Sequence, residues 1–98
     1  MTKADIVAKI SERLGMEKGD VQATVEQFMD EVKTSLESGD NVYLRGFGTF
    51  GIKHKAEKTG RNITKNTTVI IPAHNVPSFK PSKSFATKVK IATNKNWM

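Results

Sequence analysis

Residues 45–83 limit what this chain can become. The stretch opens with Arg45-Gly46-Phe47-Gly48-Thr49-Phe50-Gly51-Ile52 and closes with Val69-Ile70-Ile71-Pro72 and Val76-Pro77-Ser78-Phe79-Lys80-Pro81-Ser82-Lys83. Between these apolar ends lies a polar, basic middle, 53–68. The pattern predicts one long β-hairpin with two apolar strand bases and a charged arm. A lone two-stranded hairpin is at best marginally stable in water. The arm therefore needs a surface outside itself. From Lys53 to Lys83 there are seven Lys or Arg against one acid, Glu57, so that surface is expected to be anionic.

The charge distribution of the whole chain sharpens this expectation. The formal net charge is +6, but residues 1–44 carry five Lys/Arg and nine Asp/Glu, a net of −4, while residues 45–98 carry eleven and one, a net of +10. So uneven a split favours a half that faces a polyanion. Nucleic acid leads. An anionic membrane surface is the weaker reading, because no basic amphipathic helix is present to carry it. The longest apolar run is Val69-Ile70-Ile71, too short to span a bilayer. Charged residues at Lys3 and Asp5 stand where a signal peptide would have its apolar core. With no cysteine, neither a disulfide framework nor a thiolate metal site can form.

Ninety-eight residues allow one small domain, and a chain this short has a thin core. Oligomerisation is a common remedy. The first helix is expected at about Lys3 to Leu14: Thr2 is a good N-cap with Asp5 three residues on, Ile6, Val7, Ile10 and Leu14 recur at helical spacing, and Gly15 supplies the stop. A second helix starts near Glu17 to Asp20. Its apolar stripe is Val21, Val25, Phe28, Met29, Val32 and Leu36, and Ser38-Gly39-Asp40 ends it. Two such helices suit a helical hairpin whose outer face packs on a second copy. Asn41-Val42-Tyr43-Leu44 reads as a first strand and Thr67 to Ile71 as a returning one. Pro72 and Pro77 cannot donate to a ladder and call for bends, bulges or an edge. Residues 59–66 are rich in turn formers. After Pro81 a third helix is expected, capped by Ser82 or Ser84, with Phe85, Val89 and Ala92 along its inner edge. The stretch 93–98 shows no period and reads as a tail, with Trp97 alone in it. One domain over 1–92, an arm at about 53–76 and a tail over 93–98 is the expected organisation.

Catalysis finds little support. The glycines of Gly46-Phe47-Gly48-Thr49-Phe50-Gly51 lack the Gly-Lys-Ser/Thr of a nucleotide-binding loop and have no helix after them. Tight turning and close backbone approach explain them better. His54 and His74 would need a nearby carboxylate to hold a metal, and only Glu57 is close in sequence; exposed strand histidines that aid phosphate contact at low pH are the plainer reading. No enzyme activity, cofactor, metal or small-molecule substrate is expected. The basic arm carries the stronger signal: Lys53, Lys55, Lys58, Arg61 and Lys65 recur along it, and Arg61-Asn62 at its tip are side chains that can read an A·T-rich minor groove.

These residues also carry a likeness. Gly46-Phe47-Gly48-Thr49-Phe50, Gly60-Arg61-Asn62, Ile71-Pro72-Ala73 and Val76-Pro77-Ser78-Phe79-Lys80-Pro81 stand in an order that resembles the HU/IHF family of bacterial histone-like DNA-binding proteins. The likeness covers about residues 1–90 without gaps. It implies an α+β fold in an intertwined dimer, with a helical base, a short antiparallel sheet and long β-hairpin arms. It also implies a nucleoid-associated, cytoplasmic protein of a bacterium or its virus. Such a protein would bind double-stranded DNA through the minor groove with low sequence specificity, bending and compacting it.

The resemblance also assigns roles. Arg61 is similar to the arm-tip arginine, with Lys53, Lys55 and Lys58 in the basic arm strand and Asn62 and Lys65 beside the tip. Lys80 and Lys83 match lysines that meet the phosphate backbone. Phe47, Phe50 and Phe79, with Phe28 of the second helix, are expected in the dimer core, whether the partner is a second copy or a related subunit. Three positions depart from the pattern: Ile63 where the family usually has proline, Lys65-Asn66 where the tip usually turns on Thr-Gly, and Ser82 where a glycine is usual. Ile63 is expected to take over the intercalating role. An RNA-binding module is the competing reading. Such modules typically stack bases on strand-face aromatics, and the five Phe here look committed to the core.

Overall fold

A computed structural model of the chain describes residues 1–62 and 67–94. Ile63, Lys65 and the end of the tail, including Trp97, lie outside the described residues. The order of elements is α1 (Lys3–Leu14), α2 (Lys18–Glu37), β1 (Val42–Leu44), β2 (Gly48–Lys55), β3 (Lys58–Asn62), β4 (Thr67–Ile71), β5 (His74–Pro81) and α3 (Lys83–Asn94).

Local chemistry sets the helix ends. At α1, Thr2 Oγ1 accepts from the Asp5 N–H at 3.2 Å and Asp5 Oδ2 accepts from the Thr2 N–H at 2.9 Å, a complete capping box. Gly15 closes the helix at φ 64°, a left-handed position that glycine takes without strain. The two N-terminal helices pack together over Val7 and Val21 and are tied by a Lys3 Nζ–Glu26 Oε1 ion pair of 3.0 Å. The Lys3 hydrogen bond, with help from Gln22, holds the Glu26 carboxyl below its ordinary range. At α3, Ser82 Oγ accepts from the Phe85 N–H at 3.2 Å, so Ser82 is the cap.

Strands form two sheets. One has the order β1-β2-β5, all antiparallel; the other pairs β3 with β4. The β2–β5 ladder runs from Gly48↔Pro81 to Lys55↔His74, and pairing resumes at Lys58↔Ile71. Ala56-Glu57 therefore face Pro72-Ala73 across a break, and Pro72 has no N–H to offer there. The sequence led to one continuous hairpin with its polar end from residue 59 onward. Instead the outgoing strand stops and restarts, and Gly60, Arg61 and Asn62 are paired backbone, opposite Val69, Thr68 and Thr67. Pro77 sits on β5, an edge strand, as a residue without an N–H requires. At the other end, α3 continues through Thr93 and Asn94, two residues into the stretch that looked like tail; the Thr93 hydroxyl bonds the Val89 carbonyl at 2.7 Å.

Little of this chain is inside anything. Among the described residues only Val7 and Val21 are buried apolar side chains. The Cα radius of gyration is 19.1 Å, where a compact chain of this length has about 13 Å. Phe28, Phe47 and Phe79 remain 46%, 44% and 37% exposed. Ring contacts join Phe47 to Phe79 at 5.0 Å, Phe50 to Phe79 at 4.8 Å and Phe47 to Phe85 at 5.5 Å. Phe85 thus belongs to the cluster expected from Phe47, Phe50 and Phe79, while Phe28 lies apart from it on α2.

Candidate nucleic-acid interface

Register decides which side chains share a surface. In an antiparallel ladder directly opposed residues point to the same face, and neighbours along a strand alternate. The pairs Phe50↔Phe79, Ile52↔Pro77 and His54↔Asn75 therefore share one face with Val42 and Leu44. The pairs Thr49↔Lys80, Gly51↔Ser78, Lys53↔Val76 and Lys55↔His74 share the other, with Tyr43 beside Thr49. Aromatic core and basic surface are thus two sides of the same three strands. From Thr49 to Lys55 is six steps, about 20 Å at roughly 3.3 Å each.

The base of this surface is built by the β1–β2 turn. Gly46 turns at φ 80°, and the Phe47 N–H bonds the Leu44 carbonyl at 2.9 Å. The Phe47 carbonyl accepts from the Ser82 N–H at 2.8 Å, which pins the start of α3 against the turn. A shallow cleft results, edged by Tyr43, Arg45, Thr49, Lys80 and Ser82. Lys83, the first residue of α3, follows directly. A second cleft lies up the ladder between Asn41, Thr49, Lys53, Ser78 and Lys80. Gly48 is buried, and a Cβ there would stand 2.5 Å from the Lys80 carbonyl and 2.6 Å from the Phe79 ring, so the close approach of β2 to β5 needs glycine.

The sequence-predicted site residues divide accordingly. Lys53, Lys55 and Lys80 lie on one face of one ladder, and Lys83 stands at its foot. Lys58 is on β3 opposite Ile71, beyond the break. The backbone of Arg61 and Asn62 continues β3 toward the tip; Ile63 and Lys65 fall outside the described residues. Tyr43, Arg45 and Ser78 are not singled out as site residues by the sequence: Tyr43 comes beside Thr49 through the β1–β2 register, Arg45 through the turn that follows β1, and Ser78 through the β2–β5 register, which also brings His74 opposite Lys55. Strand alternation from Phe50 outward would have found Thr49, Lys53 and Lys55 together. His54 and His74 stand on opposite faces, so they form no metal pair, and no group of metal ligands occurs among the described residues. The arm beyond the break exposes Val69, Ile70 and Ile71, so it carries apolar as well as cationic surface.

This surface can offer ammonium groups and hydroxyls to an extended row of anionic oxygens. It has no enclosed polar pocket and no nucleophile–base pair among the residues named above. No helix among the described residues is long and apolar enough to cross a membrane.

Comparison with known proteins agrees in sequence and in fold. The family model described as bacterial DNA-binding protein matches residues 1–90. Integration host factor subunit alpha of Pseudoalteromonas translucida is 38% identical over 95 residues, 97% of this chain and 96% of that protein. The same subunit of Aliivibrio fischeri is 40% identical over 90 residues, 92% of each chain. The HU of an Anabaena HU–DNA cocrystal structure superposes with a TM-score of 0.86 at 32% identity, covering 91% of this chain and 97% of that one. An HU mutant from Thermotoga maritima, 23% identical, shares the fold with a TM-score of 0.69, covering 92% of this chain and all of that one. The α+β fold, the paired faces of its sheet and these matches place the chain in the HU/IHF family of bacterial DNA-binding proteins.

Proposed function

We propose that two copies of this chain, or one copy and a related subunit, form an architectural protein that grips duplex DNA between two arms, bends it and compacts it in the nucleoid. The observation that carries this reading is the ladder face that aligns Lys53, Lys55 and Lys80 with Thr49 and Ser78, while the reverse face holds the phenylalanines. Lysines in a row meet phosphates whatever the sequence, so affinity comes with little sequence preference. Lys83 stands at the base of the row, Lys58 follows beyond the break, and Arg61, Asn62 and Lys65 add their charge and hydrogen-bonding groups to the arm by sequence. Minor-groove architectural proteins, HU and integration host factor among them, part base steps with apolar wedges. Ile63, which follows Arg61-Asn62 in the sequence, takes that role here.

The dimer follows from the open core. Phe28, Phe47 and Phe79 are more than a third exposed in one chain, and Val89 and Ile91 of α3 stand out at 46% and 69%. A second copy that covers these faces turns a thin core into an adequate one. Sedimentation of the purified chain at micromolar concentration is expected to give twice the chain mass; a stable folded monomer refutes the self-dimer. A gel-shift series tests the ligand: linear, nicked and kinked DNA against duplex RNA of equal length. Preference for nicked or kinked DNA is expected, and RNA bound as well as DNA overturns the minor-groove reading.

A further inference from the structure

His54 and His74 flank the break in the arm, and their surroundings differ. His74 is exposed at the last rung of β2–β5, opposite Lys55, on the face shared with Lys53 and Lys80. Its Nδ1 lies 2.8 Å from the Pro72 carbonyl oxygen. A carbonyl only accepts, so Nδ1 carries the hydrogen and Nε2 is the nitrogen left free. A neutral imidazole in this tautomer presents a lone pair at Nε2. Phosphodiester oxygens have no hydrogen to give it. While Nδ1 keeps its hydrogen on the Pro72 carbonyl, only the protonated ring can donate to them from Nε2. Lys55 across the rung, Lys53 further along β2 and Lys80 further along β5 are the cations on its face; the sole nearby acid, Glu57, lies in the break and Lys58 just past it. His54 is bonded through Nδ1 to Asn75 Oδ1 at 2.9 Å and shares the opposite face with Ile52 and Pro77.

We propose that His74 is a proton-dependent phosphate contact: duplex DNA on the basic face draws a proton onto His74 Nε2, and each arm grips more tightly as pH falls below neutral. The proposal rests on the DNA-binding reading above and adds a contact to it. Imidazole is the side chain that changes charge between about pH 5 and 8, and anionic oxygens beside it favour its charged form. Linkage then ties affinity to proton uptake: the slope of log affinity against pH equals, with reversed sign, the number of protons gained on binding.

The test is DNA affinity at constant ionic strength from about pH 8 to about pH 5.5, the span over which imidazole charges. Wild type is expected to tighten as pH falls, with a slope approaching roughly one proton per arm. His74→Asn keeps a side-chain donor for the Pro72 carbonyl but cannot titrate; it is expected to bind with a flat profile at the weak, alkaline level. His74→Lys carries a permanent charge and is expected to be flat near the strong, acidic level. His54→Gln is expected to keep the wild-type slope. A flat wild-type profile, or a slope that survives in His74→Asn, overturns the proposal. Absence of DNA binding at every pH overturns the underlying reading instead.

Discussion

Gly48→Ala is the most demanding test of the packing between the two faces. Gly48 pairs with Pro81 at the root of the β2–β5 ladder and is buried. An added Cβ would lie 2.5 Å from the Lys80 carbonyl oxygen and 2.6 Å from two carbons of the Phe79 ring. Relaxed contacts need about 3.5–4.0 Å, so roughly 1 Å of separation must be found. One obstacle is backbone held in the ladder; the other is a ring wedged between Phe47 and Phe50 at 5.0 and 4.8 Å. Neither is the free end of a flexible side chain. Overpacking of this kind costs about 1–3 kcal/mol, and the absence of any loose neighbour puts Gly48→Ala at the upper end. For a domain this small each kcal/mol moves the melting temperature by about 4–8 °C, so a fall of roughly 10–20 °C is expected.

Two other glycines calibrate that value. At Gly51 an added Cβ would meet the Asn41 side chain at 3.3 Å, which can swing away, so Gly51→Ala is expected to change little. At Gly46 nothing lies within 4 Å but φ is 80°, so Gly46→Ala carries only the backbone cost of about 1 kcal/mol. The expected order of loss is Gly48, then Gly46, then Gly51. Thermal unfolding by circular dichroism gives all three. A Gly48→Ala protein melting within about 3 °C of wild type refutes the reasoning, because the sheet would then have room that these distances deny.

Three further outcomes are expected. For the proposed dimer of two copies the charge is 2 × (+6) = +12, and with roughly six to ten phosphates neutralised, log affinity should fall against log salt with a slope of about −5 to −9; Lys55→Ala should reduce the slope by about one unit or less, and salt-independent binding refutes the phosphate contacts. Ile63→Ala should keep most nonspecific affinity and lose much of the bend measured by energy transfer between end-labelled dyes; an unchanged angle removes Ile63 as the wedge. Glu26 has a lowered folded-state carboxyl value, so its contribution is present above the ordinary value of 4.5 and is lost as pH falls through the folded one; Lys3→Gln should unfold at a higher pH on acidification, and coincident acid transitions would show the ion pair to be inert.

Helix ends were legible because each depends on a few residues in sequence contact. Thr2 with Asp5, Gly15, and Ser82 after Pro81 each place a boundary through a local hydrogen bond or a local dihedral angle. Strand β4 was legible for a similar reason, as Thr67 to Ile71 is a short β-prone run before a proline. The break at Ala56-Glu57 was not. It exists only once Pro72-Ala73 come opposite, and that depends on pairing between residues far apart in sequence. For the same reason Gly60, Arg61 and Asn62 looked like turn material when taken singly, whereas in the ladder they are paired strand. Thr93 looked like tail by composition, yet α3 runs through it to Asn94.

The site shows the same division between local and distant causes. Lysine density marked the arm as basic without telling which lysines act together. Alternation on β2 puts Lys53 and Lys55 on one face, but Lys80 joins them only through the Thr49↔Lys80 rung. That rung also sets what lies on the reverse of the ladder. Phe50 and Phe79, one position along, must point the other way, so the ladder that presents ammonium groups on one side presents rings on its reverse. Neither side is covered by this chain: the rings are partly bare and the lysines are exposed. Apolar rings are covered by apolar surface, which a second copy can supply, and a row of cations is neutralised by a polyanion, which a second copy with the same basic face cannot supply. The two faces therefore call for different partners, and because they are opposite sides of one ladder, neither partner covers what the other needs.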